Sequence, residues 1–213
     1  MARASDKLVR QIKHEIFSGL LKPGDQLEEA YLAEKFAVSR TPIREAIRSL
    51  VDGGLLETRP RKGAIVRELS AKELNDLFEV AAELEGMSAR LAAENLTVAN
   101  KKAIEDALEQ CVRAAQTADI TAYASANLEL HSAIHKASGN DWLVEHLEQI
   151  EARINVYRLL PYEVVGRLDK SVSEHREICE AIFLGQAAAA NSLMRDHMML
   201  QGARLPSLLK MME

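Results

Sequence analysis

The stretch Val38-Ser39-Arg40-Thr41-Pro42-Ile43-Arg44-Glu45-Ala46-Ile47-Arg48-Ser49-Leu50 decides the fold of the first third of the chain. Thr41-Pro42 reads as a helix opening, a capping hydroxyl followed by proline where its missing N–H is harmless. Ile43, Ala46, Ile47 and Leu50 repeat at helical spacing and form an inward stripe. Arg40, Arg44 and Arg48 fall one turn apart on another face. Gly53-Gly54 ends the segment.

Upstream, Leu32, Ala33 and Phe36 give a short helix its buried face, with Glu28 and Glu29 at its N-terminal end. Between the two segments, Ala37-Val38-Ser39-Arg40 has room only for a tight turn. Two short helices joined this way form a helix-turn-helix, whose second helix enters the major groove of DNA. Further upstream, Leu8, Ile12, Ile16 and Leu20 mark a first helix, with Ser5 as its cap and Gly19 and Lys22-Pro23-Gly24 as its stop. Downstream, Leu55–Arg59 and Ala64–Arg67 are strand-like runs around Pro60-Arg61-Lys62-Gly63. They predict a β-hairpin wing whose basic tip, Arg61 and Lys62, reaches phosphates or the minor groove.

Charge is divided unevenly along the chain. Residues 1–69 hold 13 Lys and Arg against 10 Asp and Glu, a net +3, and the remainder holds 14 against 22, a net −8. A mildly basic head on an acidic body fits a separate nucleic-acid-binding module. The expected domains are therefore 1–69 and 70–213. No run approaches the ~18 apolar residues of a membrane span, and Met1–Lys7 lacks a signal-peptide core, which points to a cytoplasmic protein with no membrane partner. Cys111 and Cys179 fit neither a disulfide framework nor a CxxC site and read as buried small hydrophobes.

The segments Val38–Ile47 and Gly53-Gly54-Leu55-Leu56, with Arg61-Lys62-Gly63-Ala64-Ile65-Val66, closely resemble the DNA-binding domain of the GntR family over residues 8–68. The resemblance implies that Arg40, Thr41 and Arg44 contact operator DNA and that Gly63 lets the wing tip approach it. Some members carry an arginine near the start of the second helix, where this chain has Glu28, Glu29 and Ala30.

Beyond Ala71 there is no strand pattern. Leu74, Leu77, Phe78, Ala81, Leu84, Ser88 and Leu91 run at helical spacing to Glu94, and further helices are expected over 98–117, 119–137, 141–159, 164–184 and 187–204. Breaks fall at Asn95 to Thr97, Ser138-Gly139-Asn140, Pro161 and Gly185. The fold class is thus mainly α: a winged helix-turn-helix of three helices and a hairpin, then an antiparallel bundle of about six helices.

Three histidines stand out by geometry. Asn127 and His131 are four apart and share a helix face. His175 and His197 lie ten residues before and twelve after Gly185, at nearly the same depth in an antiparallel pair. Such imidazoles can surround one divalent ion, with zinc and nickel foremost and copper and iron also compatible. His135 and His146 lie off this pattern and read as surface or supporting residues. Glu129 and Glu174 adjoin ligand positions in sequence and are expected to point elsewhere.

Glu83-Leu84-Glu85-Gly86, Asn127–His131, Ala137–Asn140, Glu174–Ile178 and Met194–His197 together resemble the FCD effector domain of the FadR branch of the GntR family, and a six-helix count suggests its VanR-like subgroup. The resemblance implies a metal held by Asn127, His131, His175 and His197, with Asn127 in place of the usual Asp. It also implies a small organic acid as effector. Ala81 stands where many members have a pocket arginine. On the helix from Asp141, the stripe His146, Ile150, Arg153, Tyr157 puts Arg153 either among pocket residues, where it could clamp a carboxylate, or in a surface salt bridge. The expected protein is a homodimeric regulator that binds double-stranded operator DNA, because one helix-turn-helix covers only a half-site. The alternatives are a metalloenzyme fused to a DNA-binding head and a metal-free dimerisation module. Against the first, the chain has no Glu-x-x-His pair of the di-iron kind, no nucleophile motif and no phosphate-binding glycine loop.

Overall fold

The computed structural model describes residues 4–157, 162 and 166–210, with side chains as far as Met199. It divides into two compact units, Met1–Leu69 and Ser70–Glu213. No helix among the described residues is long and apolar enough to cross a membrane.

In the first unit, helix α1 (Ala4–Phe17) buries Leu8, Ile12 and Ile16, the expected stripe. Ser5 lies inside this helix and does not cap it. Helix α2 (Glu29–Lys35) buries Leu32, and α3 (Arg40–Asp52) buries Ile43, Ala46 and Leu50. The N-cap of α3 is Ser39, not Thr41, so the helix begins earlier than the sequence suggests. Pro42 then occupies the third helical position, still within the first turn, where N–H groups have no intrahelical acceptor. The α2–α3 turn is tightened by Ala37, whose φ of 53° is in the left-handed region.

Strands β2 (Leu56–Arg59) and β3 (Gly63–Val66) form the expected antiparallel hairpin, with Leu56 opposite Val66 and Arg59 opposite Gly63. A third strand, β1 (Gln26–Leu27), pairs antiparallel with the other edge of β3, giving the order β1-β3-β2. At two residues it is too short to show alternation in sequence, yet it buries Leu27 and covers a strand edge that would otherwise be open.

The second unit contains six helices among the described residues: α4 (Ala71–Glu94), α5 (Val98–Gln116), α6 (Ile120–Ala137), α7 (Asp141–Ile154), α8 (Arg167–Phe183) and α9 (Ala187–Lys210). Their starts are chemically marked. Ser70 and Glu73 form a reciprocal capping box on α4, and Thr97, Asp119 and Asn140 accept backbone N–H bonds at the next three helices. Gly139 and Gly185 take left-handed φ values of 67° at two of the turns. Helix α7 ends five residues short of expectation and continues as a 3-10 turn, Asn155–Tyr157, while α9 runs past residue 204. The expected break at Pro161 lies outside the described residues.

Helix α4 packs chiefly on α9, through small residues. Its buried face is Ala81, Ala82, Glu85, Gly86, Ser88, Ala89, Ala92 and Ala93 together with Leu74 and Phe78, whereas Leu77, Leu84 and Leu91 are only half-buried. At Gly86 an added Cβ would sit 2.5 Å from Arg195 Cγ and 3.0 Å from the Asn191 carbonyl oxygen. The absence of a side chain there lets α9 approach closely.

Candidate functional site

Two parts of the molecule carry groups that could act. The first is a cationic surface on the N-terminal unit. Ile43, Ala46 and Leu50 turn inward, which leaves Arg40, Thr41, Arg44 and Arg48 exposed along the outer side of α3. Arg61, Lys62 and Gly63 are exposed at the hairpin tip, where Arg61 and Gly63 both have positive φ, 67° and 72°. Sequence reasoning missed one contact here. Arg44 Nε donates to Glu29 Oε2 at 2.7 Å, so the acidic residue at the start of α2 engages a cation of α3. Among the described residues Arg40, Arg48, Arg61 and Lys62 form no ion pair.

The second part is a buried cluster in the helical unit. His131 on α6, His175 on α8 and His197 on α9 are each at most 1% exposed, and one ring nitrogen of each lies within 4.8 Å of the others. The Nε2 atoms of His175 and His197 are 3.2 Å apart. The opposite ring atoms are held by acceptors. Glu174 Oε2 accepts from His197 Nδ1 at 2.7 Å, and Glu85 Oε1 accepts from His131 Nδ1 at 3.1 Å. His175 Nδ1 faces the Tyr123 hydroxyl at 3.5 Å. Asn127, one turn before His131, is fully buried, and neither atom of its amide has a hydrogen-bond partner.

Electrostatics fix the tautomers. Burial pushes the His197 imidazole down to about 4, against the opposing pull of Glu174, so the ring is neutral near pH 7. Burial opposes the charge on Glu174, but the bonds from His197 and Arg167 prevail and hold its carboxyl down at about 2. Burial likewise opposes the charge on Glu85, yet the facing His131 and His135 keep it well below the ordinary carboxylate range. A charged carboxylate only accepts, so Nδ1 of His131 and of His197 carries a proton, and in the neutral His197 ring Nε2 is a bare lone pair. Burial also raises the thiols of Cys111 and Cys179 to about 12, so both are inert buried groups.

The sequence expectation for Glu174 is corrected by this arrangement. It does not point away: Arg167, 2% exposed, donates to both of its oxygens at 3.2 and 2.9 Å and steers it onto His197. His135 is buried and bonded to Glu85 Oε2 at 2.9 Å, while His146 is exposed. The inward stripe of α7 is Leu143, Leu147, Glu151 and Ile154, one residue out of step with the stripe expected through His146 and Ile150. Arg153 is half-buried in its last turn. Glu85, Glu151 and Arg167 were missed because a charge in a helix reads as solvent-facing. The available signal for Glu85 was its place among Ala81, Ala82 and Ala89, on the small-residue face of α4.

A winged helix-turn-helix with an exposed cationic face, joined to an all-helical unit, has the make-up of a DNA-binding transcription regulator. Comparisons with known proteins agree. Residues 4–66 match the model of the bacterial regulatory proteins of the gntR family, and residues 76–200 match the FCD domain. The chain is 31% identical to the "Uncharacterized HTH-type transcriptional regulator YdhC" of Bacillus subtilis over 88% of its length and 84% of the relative's. It is also 31% identical to the HTH-type transcriptional regulator McbR of Escherichia coli, over 78% and 74% of the two chains. The solved structure of E. coli McbR/YncC superposes with a TM-score of 0.87 at 26% identity, covering all of both chains. A putative GntR regulator from Rhodococcus shares the fold, at 18% identity and a TM-score of 0.81.

This chain belongs to the gntR family of DNA-binding transcriptional regulators, in the group that carries an FCD domain. Its relatives are regulators and not enzymes.

Proposed function

We propose that this regulator reads its operator through α3 and the wing, and that a small carboxylic acid bound at a metal-containing pocket of the helical unit modulates that binding. Arg40, Thr41 and Arg44 are assigned to base and backbone contacts at the start of the recognition helix, Arg48 to the flanking phosphates, and Arg61, Lys62 and Gly63 to the wing contact. Dimerisation is assigned to residues 70–213, since the small head must keep its basic face free. The six helices of that unit favour the VanR-like subgroup.

The observation that carries the metal reading is the convergence of three buried imidazoles whose outer nitrogens are already committed. Two lone-pair nitrogens at 3.2 Å repel unless a proton or a cation lies between them. Nitrogens bound to one zinc at about 2.0–2.1 Å sit about 3.3 Å apart in tetrahedral geometry, so the spacing fits. Glu174 behind His197 and Glu85 behind His131 are the supporting carboxylates that ligating histidines use. Asn127, with its orphaned buried amide, is the remaining ligand candidate. When bound, a divalent ion such as zinc or nickel supplies positive charge and an open position for an anionic ligand.

Asn127 and metal-bound imidazoles bring no negative charge, so an effector carboxylate matters more here than in a site with an Asp ligand. Arg153 is the candidate for clamping its other end. Calorimetric titration of untagged protein tests the reading: His175→Ala should abolish zinc binding and effector response while operator binding survives. Wild-type zinc affinity in that variant would overturn it.

A further inference from the structure

We propose that Glu85, His135 and Glu151 hold a second divalent cation, beside the histidine triad and separate from it. Three helices bring these groups together: Glu85 from α4, His135 from α6 and Glu151 from α7. Their exposures are 1%, 1% and 8%, and one donor atom of each, with one of His131, lies within 4.8 Å of all the others. His135 Nε2 is 2.9 Å from Glu85 Oε2, close to the ~3 Å that separates neighbouring ligand atoms around an ion bound at about 2.0–2.2 Å.

The cluster is enclosed and rich in donor atoms. Glu85 meets His131 through Oε1 and His135 through Oε2, and a carboxylate oxygen of Glu151 lies within 4.8 Å of the same donor atoms. A divalent ion seated among them would engage two carboxylates and one neutral imidazole.

The donor set differs in kind from the triad. It has two carboxylates and one imidazole, harder ligands that suit manganese or iron(II) as well as zinc, whereas three imidazoles favour zinc, nickel or copper. Glu85 serves both centres through different oxygens. Oε1 accepts the Nδ1 proton of His131, and Oε2 faces the second site. The inference is independent of whether the triad binds metal, because neither Glu85, His135 nor Glu151 belongs to it.

The experiment uses the full chain without an affinity tag, stripped with chelator and loaded with zinc or manganese. Elemental analysis counts ions per chain, and anomalous diffraction locates them. The proposal expects an anomalous peak among Glu85, His135 and Glu151, and two zinc ions per chain. His135→Gln and Glu151→Gln should each weaken the second ion by more than the ~10–100-fold typical of losing a supporting residue, and leave the first in place. His175→Ala should remove the triad ion and leave the second. If wild type retains one ion that His135→Gln removes and His175→Ala does not, the second site stands and the triad reading fails. Saturation at one ion that His175→Ala abolishes overturns the proposal, as does no anomalous peak at the Glu85 cluster in fully loaded wild-type crystals. The diffraction result decides even if the variants fail to fold.

Discussion

Acidification of the metal-free protein should expose the cost of burying His197. Its imidazole is fully enclosed and, through burial opposed by Glu174, protonates only near pH 4, against an ordinary value of 6.5 in the unfolded chain. Between those values the unfolded state holds a proton that the folded state refuses, so lowering the pH favours unfolding. The contribution is complete above pH 6.5, declines as the pH falls, and is gone by about pH 4. A depression of that size corresponds to about 3 kcal/mol over the whole window. Linkage places about 2 kcal/mol of it between pH 7 and pH 5. Urea denaturation of chelator-treated protein, followed by far-ultraviolet circular dichroism, can read this as a midpoint shift on the order of 1 M. His197→Gln removes the titrating ring, and its stability should fall by about 2 kcal/mol less than wild type's over the same interval. Parallel pH profiles for the two proteins would refute the reasoning, because the acid sensitivity would then originate elsewhere.

On the DNA side, Arg44→Ala should cost ~1–3 kcal/mol of operator affinity in an electrophoretic shift assay, with little change on unrelated DNA. Lys62→Ala should weaken both kinds of site more evenly and flatten the salt dependence. Glu29→Gln frees Arg44 from an exposed ion pair worth at most ~1 kcal/mol and removes a nearby anion, so operator binding should tighten a few-fold by fluorescence anisotropy. Gly86→Ala should lower stability by ~1–3 kcal/mol, visible as a reduced melting temperature, because the new methyl meets Arg195 and the α9 backbone. Light scattering should give a dimer at micromolar concentration, and a monomer would remove the basis for paired half-site recognition.

Much of the scaffold is legible in the sequence, for a simple physical reason. Where large aliphatic residues mark the buried face, as in α1 and α3, helical periodicity points inward correctly. In α4 the same rule is right only in part. Of the expected stripe, Leu74, Phe78, Ala81 and Ser88 are buried, but Leu77, Leu84 and Leu91 are half-buried, because close packing against α9 demands small residues and turns Ala82, Gly86 and Ala89 inward together with Glu85. The matched depth of His175 and His197 follows from counting residues about Gly185, and the two rings do meet. The groups behind them could not be found by counting. Glu174 adjoins His175 on α8 yet serves His197 on α9, and it reaches there because Arg167, two turns earlier, holds it. Such contacts depend on side-chain length and on a neighbour from another helix, and neither leaves a period in the sequence.

The central place of β3 bears on how the head folds. Its pairing with β2 closes a local loop, but its pairing with β1 joins Gln26 to Ile65, 39 positions apart, with α2 and α3 in the intervening chain. The second pairing gains nothing until those helices have collapsed, since loop-closure entropy is spent before the distant contact forms. The β1–β3 seam is therefore the late-sealing clasp that ties the locally closed hairpin to the helices. Hydrogen exchange should show β1, β3 and the helix-turn-helix opening together as one unit, with faster local exchange confined to the tip around Pro60–Lys62.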